Sequence, residues 1–321
     1  MTIFVEKPGI LTTVQDLGRS GYRRFGINPG GVMDRTAARL INILVGNPET
    51  EAVLEMHFPA PKLVFESSAL FAVGGADLAP RLNSDPIENW RQYRVRKGDR
   101  LKFTGRVSGS RAYLAIHGGL KIEKWLNSSA TNLTAAIGGF EGRKLETGDR
   151  IKFNNRSANG NDPFTARISH TLIPHYSRFP TVRIIAGAEF DELGQDDRKL
   201  LLKQDFVISN QSNRMGFRLT GEPIALAKPR EMISSAVSFG TIQMLPDGQL
   251  IVLMADHQTA GGYPRIAHVI SRDLPLMGQL GAGDKVAFHL VDLAEAEQLA
   301  AEFENELKYL RVGCKFQAHL L

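Results

Sequence analysis

At 321 residues the chain is too long for one ordinary core, so two domains are expected. Its 43% hydrophobic and 23% charged content is that of a globular protein, and no apolar run is long enough to span a membrane. The net charge of +5 comes from scattered lysine and arginine rather than a nucleic-acid-binding arm, and the single cysteine, Cys314, rules out an intrachain disulfide or a cysteine-built zinc site.

The N-terminus lacks a signal-peptide pattern and reads at once as a strand, Thr2–Glu6; with one cysteine, a cytoplasmic location is expected. Two polar, glycine-rich segments follow, Thr12 to Gly21 and Gly26 to Asp34. Asp34 is placed to cap a helix carrying Ala37, Leu40, Ile41, Leu44 and Val45, which Gly46-Asn47-Pro48 ends. From Ala52 to Phe153 short strands alternate with turns: Val53–Met56, Lys62–Phe65, Leu70–Val73, Leu101–Phe103, Tyr113–Ile116 and Ile151–Phe153. Residues 156–179 are polar and aperiodic and read as a linker between domains at 1–155 and 180–321. Beyond it come a strand at Thr181–Ala186, a helix at Gly194–Lys203 and a strand at Phe206–Ser209. A buried strand at Leu250–Ala255 and a helix near Leu293–Leu307 close the chain.

A phrase recurs three times: Lys97-Gly98-Asp99-Arg100, Thr147-Gly148-Asp149-Arg150 and Ala282-Gly283-Asp284-Lys285, each a Gly-Asp turn feeding an alternating strand. Strands predominate and no helix alternates with them, so the fold class is mostly β, two barrel-like domains with a few short helices.

No phosphate loop, dinucleotide fingerprint, H-E-x-x-H or G-x-S-x-G sequence occurs, and His57, His117, His257 and His268 are scattered, so no metal site is expected. What remains are polar clusters flanked by glycine. They are Gln15, Asp16 and Arg19; Asp34; Arg111; Arg214 and Arg218; Gln243; and Asp256, Gln258 and Thr259 with Gly261, Gly262 and Tyr263. Arginine forks, amides and backbone N–H groups bind carboxylate or amide oxygens, and Asp256 could orient an arginine or accept a proton. The same arginines equally suit surface ion pairs.

These segments also carry a resemblance. Thr12-Thr13-Val14-Gln15-Asp16-Leu17-Gly18-Arg19, Gly31-Val32-Met33-Asp34, Arg214-Met215-Gly216-Phe217-Arg218-Leu219, Gly240 to Gln243, and Asp256 to Pro264 resemble the carboxyltransferase-type family known as allophanate hydrolase subunit 2. That family includes KipA-like proteins and the PxpC-type components of bacterial 5-oxoprolinases. The resemblance implies two tandem cyclophilin-like β-barrels and a subunit-1 or KipI-like partner of the PxpB type, with a third, PxpA-type subunit in a 5-oxoprolinase. It implies ATP-dependent opening of 5-oxo-L-proline to L-glutamate, with ATP required by the complex. On this reading Asp256, Gln243 and Arg218 are catalytic. Gln15, Asp16, Arg19, Asp34, Arg111, Arg214, Gln258, Thr259, Gly261, Gly262 and Tyr263 bind substrate.

Carboxyl transfer to urea or another amide, and a KipA-like regulator that binds a kinase inhibitor, stand as rivals. The chain has no Ala-Met-Lys-Met sequence, so no covalently attached biotin is expected on it. Two departures from the family pattern stand out. Asn127-Ser128-Ser129-Ala130-Thr131-Asn132 replaces Gly-Ser-Arg-Ser-Thr, and Ser235-Ala236-Val237-Ser238-Phe239 replaces a Ser-Asp-Gly run.

Overall fold

Short runs of alternating or continuous apolar residues, parted by Gly-Asp and Pro-Asp-Gly turns, give strands that must pair to satisfy their backbone groups. A computed structural model describes residues 1–154, 166–228 and 232–319, with side chains to residue 314. The chain forms two units. The first comprises Met1–Arg19, Gly30–His175 and Glu304–Leu321; the second comprises Ser20–Pro29 and Tyr176–Phe303. The boundaries therefore differ from the simple halves expected, because Ser20–Pro29 groups with the second unit and the C-terminal residues with the first.

Residues 156–165 of the expected linker lie outside the described residues. Its remainder is tied down: Ala166 N–H donates to Gln92 Oε1 at 3.2 Å, Arg167 bridges Arg91, and Ile168 and Tyr176 are buried.

The first unit contains β1 (Thr2–Lys7), β2 (Thr12–Gln15), α1 (Arg35–Leu44), β3 (Val53–His57), β4 (Lys62–Phe65), β5 (Ala69–Asp77), β6 (Pro80–Leu82), β7 (Asp85–Pro86), β8 (Gln92–Val95), β9 (Arg100–Phe103), β10 (Ser108–Ile116) and β11 (Arg150–Lys152). They form a six-stranded sheet, β11-β1-β4-β9-β6-β7, and a five-stranded sheet, β2-β3-β10-β5-β8. The core lies between them. Ile3, Val5, Leu63, Phe65 and Leu101 come from one sheet, and Val14, Leu54, Met56, Phe71, Val73 and Leu114 from the other. The opposite face of the five-stranded sheet carries α1, capped by Asp34, whose Oδ1 accepts the Ala37 N–H at 2.8 Å as the sequence predicts.

The second unit contains β12 (Thr181–Ala186), α2 (Gln195–Lys203), β13 (Phe206–Ile208), β14 (Gly216–Thr220), β15 (Ser235–Ala236), β16 (Thr241–Met244), β17 (Leu250–Leu253), β18 (Ala260–Gly261), β19 (Arg265–Val269), α3 (Leu274–Gly278) and β20 (Lys285–Leu290). Seven strands close into a barrel in the order β12-β19-β16-β17-β14-β13-β20, with β15 and β18 forming a separate ladder. Val182, Ile184, Phe217, Leu219, Ile242, Val252 and Phe288 are all buried on these strands. The barrel-like architecture expected of both halves is thus closed in the second unit and a two-sheet stack in the first. Helix α4 (Leu293–His319) runs beyond the predicted end at Leu307. Among the described residues no helix is long and apolar enough to cross a membrane.

The recurring Gly-Asp phrase has a structural cause. Asp99, Asp149 and Asp284 each accept the backbone N–H three residues earlier, from Arg96, Glu146 and Gly281 at 2.7, 2.7 and 2.9 Å. In each case the aspartate closes the turn and releases the chain into β9, β11 or β20.

Candidate functional site

In the second unit the antiparallel register of β14 and β17 pairs Gly216 with Leu253 and so carries Arg214 alongside Asp256. The Asp256 N–H donates to the Arg214 carbonyl at 2.8 Å. The side chains then close a bidentate ion pair, Nε to Oδ2 at 2.8 Å and Nη2 to Oδ1 at 3.1 Å, both largely buried. Because both Asp256 oxygens are held by one guanidinium fork, the carboxylate is suited to orienting Arg214 rather than to acting as a free base. Asn28 Nδ2 donates to the Asp256 carbonyl at 3.1 Å, and Arg23 donates to the Val237 carbonyl, so the Ser20–Pro29 segment braces the same cluster.

Gln243 on β16 is wholly buried and donates to the Tyr263 carbonyl at 3.1 Å, while Gln258 reaches its Oε1 at 3.5 Å. Thr259 accepts the Val237 N–H through its carbonyl at 3.3 Å. The two short strands β15 and β18 pair Ser235 with Gly261 and Ala236 with Ala260, folding the Gly261-Gly262 turn over Gln243. Gly262 and Tyr263 also line a cavity of about 540 Å³ with Ile224, Leu226, Met232 and Met244.

Gly261 has no room for a side chain. A Cβ there would lie 2.7 Å from Gln243 Nε2 and 3.0 Å from Oε1. Gly261→Ala is expected to displace the Gln243 amide and to destabilise the fold by about 1–3 kcal/mol, an overpacking effect. Urea denaturation checks it: an unchanged midpoint would mean that the Gln243 side chain yields without cost.

Arg218 does not share the buried setting of Arg214. The alternation of β14 buries Phe217 and Leu219 and turns Arg218 outward, while Arg214 lies before the strand begins and is buried. The structure therefore does not bring the two arginines together.

In the first unit the predicted residues are buried, and most are held by their own chain. Asp16 accepts from Gly18 N at 2.7 Å, Ser128 Oγ at 2.7 Å and Ser129 N at 2.6 Å. Arg19 donates to the Ala130 carbonyl and lies over the Trp125 ring, 5.0 Å from its centroid. The loop that departs from the family pattern is thus the wrapping of Asp16 and Arg19, and Ser129 serves Asp16 through its backbone. Gln15 donates to Thr13 Oγ1 and the Thr131 carbonyl at 3.1 and 3.2 Å. Gly31, at φ +96°, lets its loop pass over the Asp16–Gly18 turn: a Cβ would lie 2.7 Å from Gly18 N.

A second buried polar group was not foreseen. Thr13, Glu55 and Tyr113 are in register across β2, β3 and β10, on the sheet face opposite the apolar core, with Arg111 paired to His57 beyond them. The Tyr113 hydroxyl donates to Glu55 Oε2 at 3.0 Å and accepts from Asp34 N at 2.9 Å, and the same Glu55 oxygen accepts from Met33 N at 2.8 Å. Burial, then the Glu55 and Asp34 carboxylates, push the Tyr113 phenol far above its usual range, so it stays protonated and donates. Its sequence signal was a glutamate set between Leu54 and Met56 in a buried strand.

Residues 25–290 match the family described as carboxyltransferase domain, subdomain A and B. The C component of the Haemophilus influenzae 5-oxoprolinase is 37% identical over 303 residues, 93% of this chain and 94% of that protein. The corresponding 5-oxoprolinase component of Escherichia coli is 34% identical over 94% of this chain and 98% of its own length. Among solved structures, the K. lactis urea amidolyase superposes with a TM-score of 0.90 at 28% identity; the match covers 96% of this chain but only 20% of that one.

Proposed function

We propose, for a chain that belongs to the carboxyltransferase domain family, that it is the PxpC-type component of a cytoplasmic, ATP-dependent 5-oxoprolinase that opens 5-oxo-L-proline to L-glutamate together with partner subunits of the PxpB and PxpA types. The observation that carries this reading is the match at 37% identity across 93% of this chain and 94% of a 5-oxoprolinase component. The chain spans only about a fifth of the urea amidolyase.

The second-unit cluster suits an amide. Gln243, Gln258 and the Gly261-Gly262 backbone offer donors and acceptors to a planar C(=O)–N group, and Arg214, oriented by Asp256, offers a cation to the substrate carboxylate. Arg218, on the outer face of β14, takes no part in this assignment. Gln15, Asp16, Arg19 and Asp34 act by holding the loops of the first unit, and Arg111 lies in β10 near the buried Tyr113–Glu55 pair. Neither cluster contains a lysine or a glycine-rich phosphate loop, so ATP, which supplies the energy of ring opening in the complex, is assigned to no residue of this chain.

The test is glutamate release from 5-oxoproline and ATP by this chain copurified with its partner subunits, and Arg214→Ala is expected to lower it at least a hundredfold. Carboxyl transfer to an amide nitrogen, the reading favoured by the likeness to urea amidolyase, would instead require bicarbonate and a biotinylated carrier on another chain. Bicarbonate-dependent turnover without glutamate release would replace the present reading. A complex that forms but turns over nothing would favour the KipA-like regulator.

A further inference from the structure

At the start of β16 three polar side chains outside the amide cluster form a continuous chain of hydrogen bonds. Ser238 Oγ lies 3.1 Å from Thr241 Oγ1, and Thr241 Oγ1 lies 3.1 Å from His268 Nδ1. The Ser238 N–H also donates to Thr241 Oγ1 at 3.0 Å, and Thr241 N–H returns a bond to the Ser238 carbonyl at 3.0 Å. Thr241 is fully buried and directly opposite His268 in the β16–β19 ladder. Ser238 and His268 are each half-buried.

The valences decide what this chain of groups can do. A threonine hydroxyl donates once and accepts twice. One acceptor site is filled by the Ser238 N–H. If Ser238 Oγ–H fills the other, Thr241 donates to Nδ1; if Nδ1–H fills it, Thr241 donates to Ser238 Oγ. Both arrangements satisfy the Thr241 hydroxyl, and passing from the first to the second moves one proton from Ser238 Oγ to Thr241 Oγ1 and one from Thr241 Oγ1 to Nδ1.

We propose that Ser238, Thr241 and His268 are a reversible proton relay serving the amide chemistry at Gln243. Thr241 and Gln243 are two residues apart on β16 and share a face, roughly 7 Å along the strand. Val237, next to Ser238, pairs its N–H with the Thr259 carbonyl, and Gln258 reaches Gln243, so the Ser238 end of the relay adjoins the amide cluster. In the forward direction a nucleophile's proton passes to Ser238 Oγ as the Ser238 proton moves to Thr241 Oγ1 and the Thr241 proton to Nδ1, leaving an imidazolium. In the reverse direction that proton returns to the leaving nitrogen, so nothing is gained or lost over a turnover. Ser238 is the group that would touch substrate; Thr241 and His268 act through it.

The imidazole must begin neutral. Burial, then the Arg265 guanidinium, hold His268 below its ordinary range, with Glu189 opposing. The charged groups around it are the Arg265–Glu189 ion pair and, along the neighbouring β12, Arg183 paired with Asp273. A histidine depressed in this way binds its proton less readily folded than unfolded, so it lowers stability as pH falls below about 6.5.

The relay rests on the proposed amide reaction, and two measurements separate the two ideas. Nitrogen–proton correlation spectra of the chain in its complex report the His268 tautomer and titration. Thr241→Val is expected to change both, and an unchanged tautomer and midpoint would overturn the relay whatever the substrate. For glutamate release, Thr241→Val and His268→Ala are expected to lower kcat about a hundredfold with the acidic limb of the pH profile lost. Thr241→Ser is expected to restore the rate, and free imidazole to rescue His268→Ala in part. A wild-type complex that releases glutamate while both variants stay within twofold, with an unaltered pH profile, would remove the relay and leave the proposed function standing. A wild-type complex that releases none would remove that function and leave the spectra to decide the relay.

Discussion

Asp256→Ala is expected to destabilise the protein by about 3–5 kcal/mol, because it leaves the buried Arg214 guanidinium without its carboxylate. The cost arises from the desolvated charge that remains more than from the attraction that is lost. The double variant Arg214→Met with Asp256→Leu removes both charges and fills the same space with apolar atoms. It is expected to recover most of the stability, since replacing a buried ion pair by well-packed hydrophobic residues is often neutral or better. Turnover separates the two roles of the pair. If Arg214 holds the substrate carboxylate, the double variant folds and stays inactive; a double variant that recovers both stability and glutamate release would reduce the pair to scaffolding. Urea denaturation read beside turnover gives both answers, and an unchanged slope with a shifted midpoint certifies the stability change.

The sequence disclosed those features that depend on neighbours in the chain. Asp34 before an amphipathic run specified a capped helix, and the Gly-Asp turns specified where strands begin, because both effects act within a few residues. It disclosed less where the answer depends on strands distant in sequence. Thr12–Gln15 and Gly216–Thr220 look polar and glycine-rich, yet they are strands because Met56, Glu55 and Leu54 or Leu253, Val252 and Ile251 supply their partners. The face of Arg218 follows from where the β14 ladder starts, which spacing from Arg214 alone does not reveal. Glu55 and Tyr113 lie 58 residues apart and meet only through the β3–β10 register, so nothing local marks them as partners. Residue type alone does not fix the chemistry of a site. A carboxylate near glycines suits a ligand, but it equally suits a loop that must close on itself.

Asp16 decides between those two uses. Its oxygens accept from Gly18 N, Ser128 Oγ and Ser129 N at 2.6–2.7 Å, with 5% of the residue exposed. Hydrogen bonds to a charged acceptor are worth roughly 1.5–3 kcal/mol each and are not additive, so Asp16→Ala is expected to cost about 3–5 kcal/mol. Asp16→Asn sharpens the argument. The amide preserves shape, but one oxygen becomes an NH₂ that must face a backbone N–H, that of Gly18 together with the Ser128 hydroxyl at Oδ1 or that of Ser129 at Oδ2. The serine can reverse its bond, whereas the N–H groups of Gly18 and Ser129 cannot. The Asn variant is therefore expected to fall between wild type and Ala in stability, with KM for 5-oxoproline unchanged in whatever fraction folds. A raised KM at undiminished stability would mean that Asp16 meets the substrate after all. It would also mean that the Ser128–Ser129 loop opens in the working complex to let the carboxylate out.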